Sequence, residues 1–273
     1  MPPLRKRPGL LLGPFVVALG FGTALCVAAQ ATVDHGPWDQ LLKRHVRDGL
    51  VHYRGFMADR QALDRYLEQL AVVEVEQLPS AADRLAFWIN LYNACVVQEV
   101  LEHYPLSSVK EVPGFFTSPR CRAEGQELSI DAVGVRGHRV GGYRTHLAIV
   151  CASKGCPVLR DEAYAGPRLD AQLTQQAQAY FADPSRGLRL DETTSTVWIS
   201  KIIDWNRKDF GQHSGLAGLV KPPLDLRFVD VITPYLRQDV VDRLAGPTTH
   251  WRIRVIPYDW TLNDQPGNHA RWT

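Results

Sequence analysis

The chain has 273 residues, of which 45% are hydrophobic, and this composition is typical of a globular protein with a sizeable core. Its formal charge is +2, and removing Arg5, Lys6 and Arg7, which lie in a segment that we expect to be cleaved, changes that charge to −1. Such a balance gives no electrostatic basis for binding nucleic acid or an anionic membrane surface, so we expect neither kind of partner.

The first 31 residues have the pattern of a secretory signal peptide. A basic start at residues 5–7 precedes an apolar stretch over 9–29, which ends in small residues at Ala29 and Ala31. The alternative is an uncleaved anchor, because the apolar stretch is long enough to cross a bilayer, but Pro14 disfavours a stable spanning helix. We therefore expect residues 32–273 to form a periplasmic or secreted protein. The protein would contact a membrane only if the signal segment remained uncleaved.

Hydrophobic spacing predicts mainly helices in the first half of the mature chain. The predicted elements are a helix over 35–46, a short strand over 50–53, a helix over 59–73 and a long helix over 81–103. Ser80 is the predicted cap of the long helix and Tyr104-Pro105 its end. The long helix is apolar on nearly all sides, which predicts a central buried helix. Its amides Asn90 and Asn93 share a face, and each would either hold a neighbouring loop or orient a catalytic group.

The second half of the mature chain is predicted to be more irregular. Glycines and prolines over 110–142 indicate loops, and the apolar run 147–150 indicates a buried strand. Later elements are predicted at 160–182 (helix), 188–190 and 196–199 (hairpin), 221–223 (hinge), 229–244 (helix broken at Pro234) and 251–256 (strand). These elements predict an α+β fold, a single mixed domain with a central buried helix, a small sheet and helices outside.

The thiol and imidazole groups of the mature chain converge in residues 145–160. Cys156-Pro157 resembles a helix start, where unpaired backbone N–H groups and the helix dipole favour a thiolate. If the fold brings His146 alongside, the two residues form a Cys–His nucleophilic site, with Cys151 as the alternative nucleophile. Equally, Cys151 and Cys156 would close a small disulfide. Together with Cys95 and Cys121 they allow three full pairings, among which the sequence does not choose.

The spacing of histidines and cysteines does not predict a metal or another cofactor. There is no CxxC pair and no compact ladder of the kind that binds structural zinc. The weaker alternative is a site built from His146, a cysteine and a carboxylate.

Four segments resemble the DUF547 domain, in that family's order: AFWINLYNA (86–94), HLAIVCASKGCPVLR (146–160), ISKIIDWNRKDFG (199–211) and YDWTLN (258–263). The resemblance implies little about activity, because the family is named for its lack of one, and it is found in secreted bacterial proteins. Its pattern maps onto Asn90, Asn93, His146, Cys151, Cys156, Asp209 and Asp259. One departure stands out: many relatives carry Glu-His where this chain has Val133-Gly134.

Two hypotheses for function follow. In the first, the protein is a cysteine-dependent hydrolase or acyl transferase acting on an amide or thioester, with Cys156 as nucleophile and His146 as general base. Asn93 or Asp209 would orient the imidazole. In the second, it is a non-catalytic binding or scaffold module with a structural Cys151–Cys156 disulfide, and the aromatic residues of 198–205 and 258–260 line a groove. Its partner would be a small molecule, a peptide or a protein.

Overall fold

The fold was analysed in a computed structural model, which describes residues 32–213, 227–246 and 251–266. The predicted signal peptide over 1–31 and the predicted hinge over 221–223 lie outside the described residues.

The fold is built around helix α4, Ala81–His103. Its amino terminus is capped by Ser80, whose hydroxyl accepts the backbone N–H of Asp83 at 3.1 Å, and the chain leaves the helix at Tyr104. Every residue from Leu85 to Val97 is buried. A helix buried on all sides must have neighbours on all sides, so the prediction of a central buried helix is confirmed.

The other helices surround α4, and the strands are short. The helices are α1 Gly36–His45, α2 Tyr53–Ala58, α3 Arg60–Ala71, α5 Ile130–Gly141, α6 Leu169–Ala182, α7 Lys201–Trp205, α8 Arg207–His213, α9 Arg227–Ile232 and α10 Gln238–Ala245. The strands are β1 Val46–Arg47, β2 Leu50–Val51, β3 Pro119–Ala123, β4 Gln126–Ser129, β5 Leu188–Asp191, β6 Thr196–Ile199 and β7 Arg252–Val255. This is the predicted α+β single domain.

The strands form two hairpins and one three-stranded sheet. The hairpins are β1–β2 and β3–β4. In the sheet, β6 lies between β5, to which it is antiparallel, and β7, to which it is parallel. The predicted hairpin over 188–199 and the predicted carboxyl-terminal strand are therefore confirmed, and they pair with each other.

Residues 110–142 are more regular than the sequence predicts, because they contain the β3–β4 hairpin and α5. The glycines that indicated loops instead let α5 pack closely on α4 and on the following turn. A Cβ atom added at Gly141 would lie 2.5 Å from both Leu85 Cδ2 and Thr145 Oγ1, and one at Gly137 would lie 3.2 Å from Thr145 Cγ2. Helix packing at this distance excludes larger side chains, and it outweighs the low helix propensity of glycine.

The predicted buried strand over 147–150 is wrong. His146 lies in a 3-10 helix, Gly142–Leu147. The following residues form no strand, and of them Ala148 and Val150 are buried and Ile149 is half-buried. Their backbone is satisfied instead by a side chain of α4: Asn93 donates to the carbonyl of Ala148 at 3.1 Å and accepts the N–H of Val150 at 2.9 Å.

The predicted helix start at Cys156-Pro157 is also wrong. The N–H of Cys156 donates to the carbonyl of Ser153 in a turn, and the N–H of Gly155 donates to the carbonyl of Asp259 at 2.8 Å. The next helical residues begin at Gly166, and α6 begins at Leu169. Backbone pairing with the 259–262 segment therefore decides the conformation here, and the preference of proline for a first helical turn does not.

Within the described residues the core consists of three apolar clusters. The largest surrounds α4, the second lies between the three-stranded sheet and helices α6 to α9, and a small third joins α4 to the start of α6. No helix in the described ranges combines the length and the hydropathy that a membrane span requires.

Candidate functional site

Cys151 and Cys156 lie next to each other, with their sulfur atoms at disulfide distance and their Cα atoms 6.3 Å apart. Cys95 of α4 and Cys121 of β3 form a second pair at disulfide distance, with Cα atoms 5.9 Å apart. Of the three pairings open to the four cysteines, the fold selects the one that joins the near neighbours in sequence.

Cys156 does not have the surroundings of an activated thiol. It is 2% exposed, and its sulfur accepts the backbone N–H of Cys151 at 3.0 Å. Because no helix begins at Cys156, the dipole and the row of unpaired N–H groups that would lower its pKa are missing from its surroundings.

Cys151 is half-buried and contacts two hydroxyl groups. Its sulfur lies 2.8 Å from Oη of Tyr258 and 3.2 Å from Oγ of Ser153, and these two oxygens lie 2.7 Å apart. Burial raises the pKa of Tyr258 to about 12, against the opposing effect of the hydrogen bond with Ser153. The phenol is therefore protonated at neutral pH and has a proton to donate to a neighbouring acceptor.

Three aromatic rings meet beside Cys151, one of them exposed and the other two half-buried. We call them the aromatic cluster: Trp205, Tyr258 and Trp260. The ring of Tyr258 lies 4.8 Å from that of Trp205 and 4.6 Å from that of Trp260, between centroids, and the two indoles are 5.8 Å apart. Trp205 is 48% exposed. Ammonium groups lie over both indoles, Lys201 at 5.7 Å from Trp205 and Lys110 at 5.4 Å from Trp260.

His146 contacts a carboxylate and a second histidine. Its Nε2 lies 2.7 Å from Oδ2 of Asp209 in α8, and its ring lies 3.7 Å from that of His138 in α5, between centroids. Burial lowers the pKa of His146, while Asp209 opposes that effect. Burial, together with the neighbouring His146, lowers the pKa of His138 to about 4. Both imidazoles are therefore mainly neutral at neutral pH.

These three residues form what we call the His–His–Asp cluster: His138, His146 and Asp209. One potential ligand atom from each lies within 4.8 Å of the others, so the cluster can hold a metal ion. Sequence reasoning identified His146 and Asp209 but missed His138, because a spacing of eight residues matches no familiar ligand motif.

Asn93 lies between the two groups of residues but contacts the side chains of neither. Both of its amide hydrogen bonds go to the backbone of Ala148 and Val150, in the segment that joins His146 to Cys151. Asn90 holds Tyr164 in the same way, accepting its N–H at 3.0 Å and donating to its carbonyl at 2.8 Å. Of the two roles considered for these amides, the observed contacts correspond to loop holding.

The region from the residues before α4 to the end of α6 can be placed in a known family. Residues 75–181 match the model of a family described as "Protein of unknown function, DUF547". This segment is therefore similar to the DUF547 family. No curated protein and no solved structure matches the chain.

The DUF547 match contains Asn93, His146 and both cysteines of the 151–156 pair, whereas Asp209 and Tyr258 lie beyond it. The positions at which many DUF547 relatives carry Glu-His hold Val133 and Gly134, both buried in α5. The ring of Tyr92 would lie 3.3 Å from a Cβ atom at Gly134, so a side chain here would require this ring to shift by a few tenths of an ångström. His138 lies one helical turn further along the same helix.

The protein therefore contains two groups of polar residues. One is the Cys151–Cys156 pair with Tyr258 and the aromatic cluster, and the other is the His–His–Asp cluster. Asp259, which the family pattern also includes, caps a surface turn: its Oδ1 accepts the N–H of Thr261 at 2.9 Å. A hydrogen bond with the side chain of Thr261 is the main cause that lowers the pKa of Asp259, and the backbone N–H bond adds to it.

Proposed function

We propose that this protein is a non-catalytic binding module of an oxidising compartment. Its ligand surface would be the aromatic cluster, and its Cys151–Cys156 pair would be a structural disulfide. The observation that carries the proposal is the meeting of Trp205, Tyr258 and Trp260 on the surface, with the hydroxyl of Tyr258 against the sulfur of Cys151.

The compartment is inferred from the cysteines. All four cysteines of the mature chain lie in pairs at disulfide distance, and disulfides persist in the periplasm and outside the cell but rarely in the cytosol. The signal-peptide pattern of the first 31 residues leads to the same compartment. A disulfide at Cys151 would also hold the residue against which Tyr258 packs, and would so keep the three rings in place.

The ligand is inferred from the rings and the charges beside them. Exposed indole and phenol faces stack on flat apolar faces, such as the C–H face of a sugar ring, and aromatic residues commonly dominate binding energy. The ammonium groups of Lys110 and Lys201 add positive charge at the edge of the cluster. Lys110 is exposed, whereas Lys201 also pairs with Asp204 at 2.6 Å. We therefore infer an acidic oligosaccharide as the ligand class.

Tryptophan fluorescence tests this proposal. The protein is titrated with oligomers of a uronic acid and, separately, with a neutral oligosaccharide of the same length. We expect saturable binding of the acidic oligomer that weakens by about tenfold or more in Trp205→Ala, since losing a stacked anchor typically costs more than about 1 kcal/mol. Trp198→Ala is the matched control, because Trp198 also has a cation over its ring, Arg189 at 4.8 Å, but belongs to β6.

Two outcomes of the titration would argue against the aromatic cluster as the ligand surface. One is an equal loss of affinity in Trp198→Ala and Trp205→Ala. The other is the absence of any spectral change with either oligosaccharide.

A cysteine-dependent hydrolase or acyl transferase is the second candidate function, and two contacts favour it. In a reduced chain the hydroxyls of Tyr258 and Ser153 would donate to a Cys151 thiolate, and hydrogen bonds to the charged form stabilise it. Asp209 would orient His146 as general base, although within the described residues His146 contacts neither cysteine, so the chain would have to bring the two groups together. In this version Cys151 is the nucleophile, because Cys156 is almost fully buried.

Thiol accounting separates the two candidates. Mass spectrometry of the protein purified from the periplasm, with and without reductant, gives the number of free thiols. A Cys151–Cys156 disulfide in the native protein favours the binding module. A free Cys151 that alkylates with a pKa well below the roughly 8.5 of an ordinary thiol favours the hydrolase.

A further inference from the structure

We propose that the His–His–Asp cluster is a binding site for a first-row divalent metal ion, with zinc as the expected ion. The site would be separate from the aromatic cluster and the cysteine pair, and it does not depend on the binding function proposed above.

The donor set and its geometry fit this ion. Two imidazoles and one carboxylate are the ligands that zinc takes when three protein groups bind it and a fourth position stays open. They come from three elements that the fold brings together: α5, the 3-10 helix Gly142–Leu147 and α8. Nε2 of His146 lies 2.7 Å from Oδ2 of Asp209, and a ligand atom from each of the three residues lies within 4.8 Å of the others. Small side-chain rotations would place all three around one ion.

An unpartnered polar atom gives a second, independent observation. Nδ1 of His138 is shielded from solvent and has no hydrogen-bond partner in the part of the chain that the structure describes. A buried imidazole nitrogen without a partner is costly, and native structures leave few polar atoms in this state. A metal ion bound at Nδ1 of His138 would give this atom the polar partner that it lacks among the described residues.

The cluster opens to solvent on one side. A cleft of about 570 Å³ lies against it, and its lining includes His138, Arg139, Tyr143 and Asp209. The side chain of Asp209 is 43% exposed and lines the cleft, whereas that of His146 is 8% exposed and lies behind it against Asp209. A metal here would therefore have an open position that faces the cleft, as catalytic zinc sites do and closed structural sites do not. Arg139 in the same cleft favours an anionic oxygen, from a carboxylate or a phosphate, as the exogenous ligand.

A second His–Asp pair in the protein lacks the third ligand and the arginine-free carboxylate of the His–His–Asp cluster. Nε2 of His45 also lies 2.7 Å from Oδ2 of Asp59, but the same oxygen pairs with Arg44 at 2.9 Å. The nearest histidine ring, that of His52, is 6.1 Å away between centroids. Here a guanidinium already neutralises the carboxylate, and no third ligand completes a site. Asp209, in contrast, pairs with no arginine within the described residues.

Equilibrium dialysis of the metal-stripped, oxidised full chain against zinc tests the proposal, with bound zinc measured by inductively coupled plasma mass spectrometry. Failure of a thiol reagent to label any cysteine other than Cys26 first excludes zinc binding by free thiols of the two cysteine pairs. Cobalt(II) replaces zinc in a parallel titration, because its visible d–d bands report the coordination geometry. The variants are His138→Gln and Asp209→Asn, and the matched control is Asp59→Asn. Near-ultraviolet circular dichroism establishes that each variant is folded.

We expect one zinc ion per chain, a tetrahedral cobalt spectrum and unchanged affinity in Asp59→Asn. In His138→Gln and in Asp209→Asn the affinity should fall by at least about 100-fold, the upper end of the loss seen when even an outer-shell partner of a metal is removed. Absence of zinc from the wild-type protein would overturn the proposal. Zinc that binds equally well to folded His138→Gln would overturn it too, since the ion would then lie elsewhere.

Discussion

The hydroxyl of Tyr258 lies 2.8 Å from the sulfur of Cys151, although 107 residues separate them in the chain. The contact joins the segment that matches the DUF547 model, residues 75–181, to a segment near the carboxyl terminus that lies outside this match. It also places the aromatic cluster beside the cysteine pair, so the chemistry of the sulfur and the shape of the ligand surface depend on the same tyrosine.

Tyr258→Phe should raise the pKa of the Cys151 thiol in the reduced protein by about one unit, because it removes a hydrogen-bond donor to the thiolate. The pH dependence of Cys151 alkylation, followed by peptide mass spectrometry, measures this shift. Tyr104→Phe is the matched control, since the hydroxyl of Tyr104 bonds to Asp264 at 2.7 Å and does not contact Cys151. Equal alkylation profiles for Tyr258→Phe and wild type would mean that the phenol does not stabilise the thiolate.

Removing the Cys95–Cys121 pair should destabilise the oxidised protein more than removing the Cys151–Cys156 pair. The first pair spans 26 residues and the second spans 5. Closing the longer loop restricts the unfolded chain more. In the loop-entropy account the longer loop therefore adds about 1.5 kcal/mol more to the free energy of unfolding than the shorter one. Urea unfolding of Cys95→Ala/Cys121→Ala and of Cys151→Ala/Cys156→Ala gives the two free energies. The reverse order would show that native-state contacts of the short loop outweigh chain entropy.

Asn93→Ala should lower the free energy of unfolding by about 2 to 3 kcal/mol. The change leaves the carbonyl of Ala148 and the N–H of Val150 buried without partners, and each such group costs about 1 kcal/mol or more. Guanidinium unfolding measures the loss. Asn206→Ala, which removes a single amide bond to the carbonyl of Ile202, is the control and should cost less. A loss below that of the control would contradict the loop-holding role.

Protein stability should fall as the pH falls from about 6.5 to about 4, and His35 should account for part of the loss. Burial lowers the pKa of His35 from 6.5 to about 4, against the opposing effects of Asp34 and Asp83. Between these values the unfolded chain binds a proton that the folded chain excludes, so the contribution of His35 is complete above pH 6.5 and is lost through pH 4.

The size of this contribution is about 2 to 3 kcal/mol. His35→Gln keeps a polar group for the hydroxyl of Tyr66, which lies 2.7 Å from Nδ1 of His35, but cannot titrate. Its free energy of unfolding, measured at pH 7 and at pH 4, should therefore change less than that of the wild type. An equal change in both proteins would show that His35 is not responsible.

The sequence alone determined the elements whose signals are local. Helix α4 and its Ser80 cap follow from a continuous apolar segment and one capping side chain, and the β5–β6 hairpin follows from two apolar runs around a turn. The DUF547 resemblance, which rests on short motifs, is confirmed over residues 75–181. Each of these signals is read within a few residues, so no knowledge of distant contacts is needed.

Tertiary structure decided what depends on neighbours distant in sequence. Glycines that predict loops form the close-packed α5, because the space between α5 and α4 excludes side chains. Cys156 lies in a turn held by the 259–262 segment, and no helix begins there. His138, His146 and Asp209 come from three elements and meet only when those elements pack. A local sequence pattern does not show which face of a helix or strand a distant segment covers. That contact determines whether a side chain packs in the core, holds a loop or forms part of a binding site.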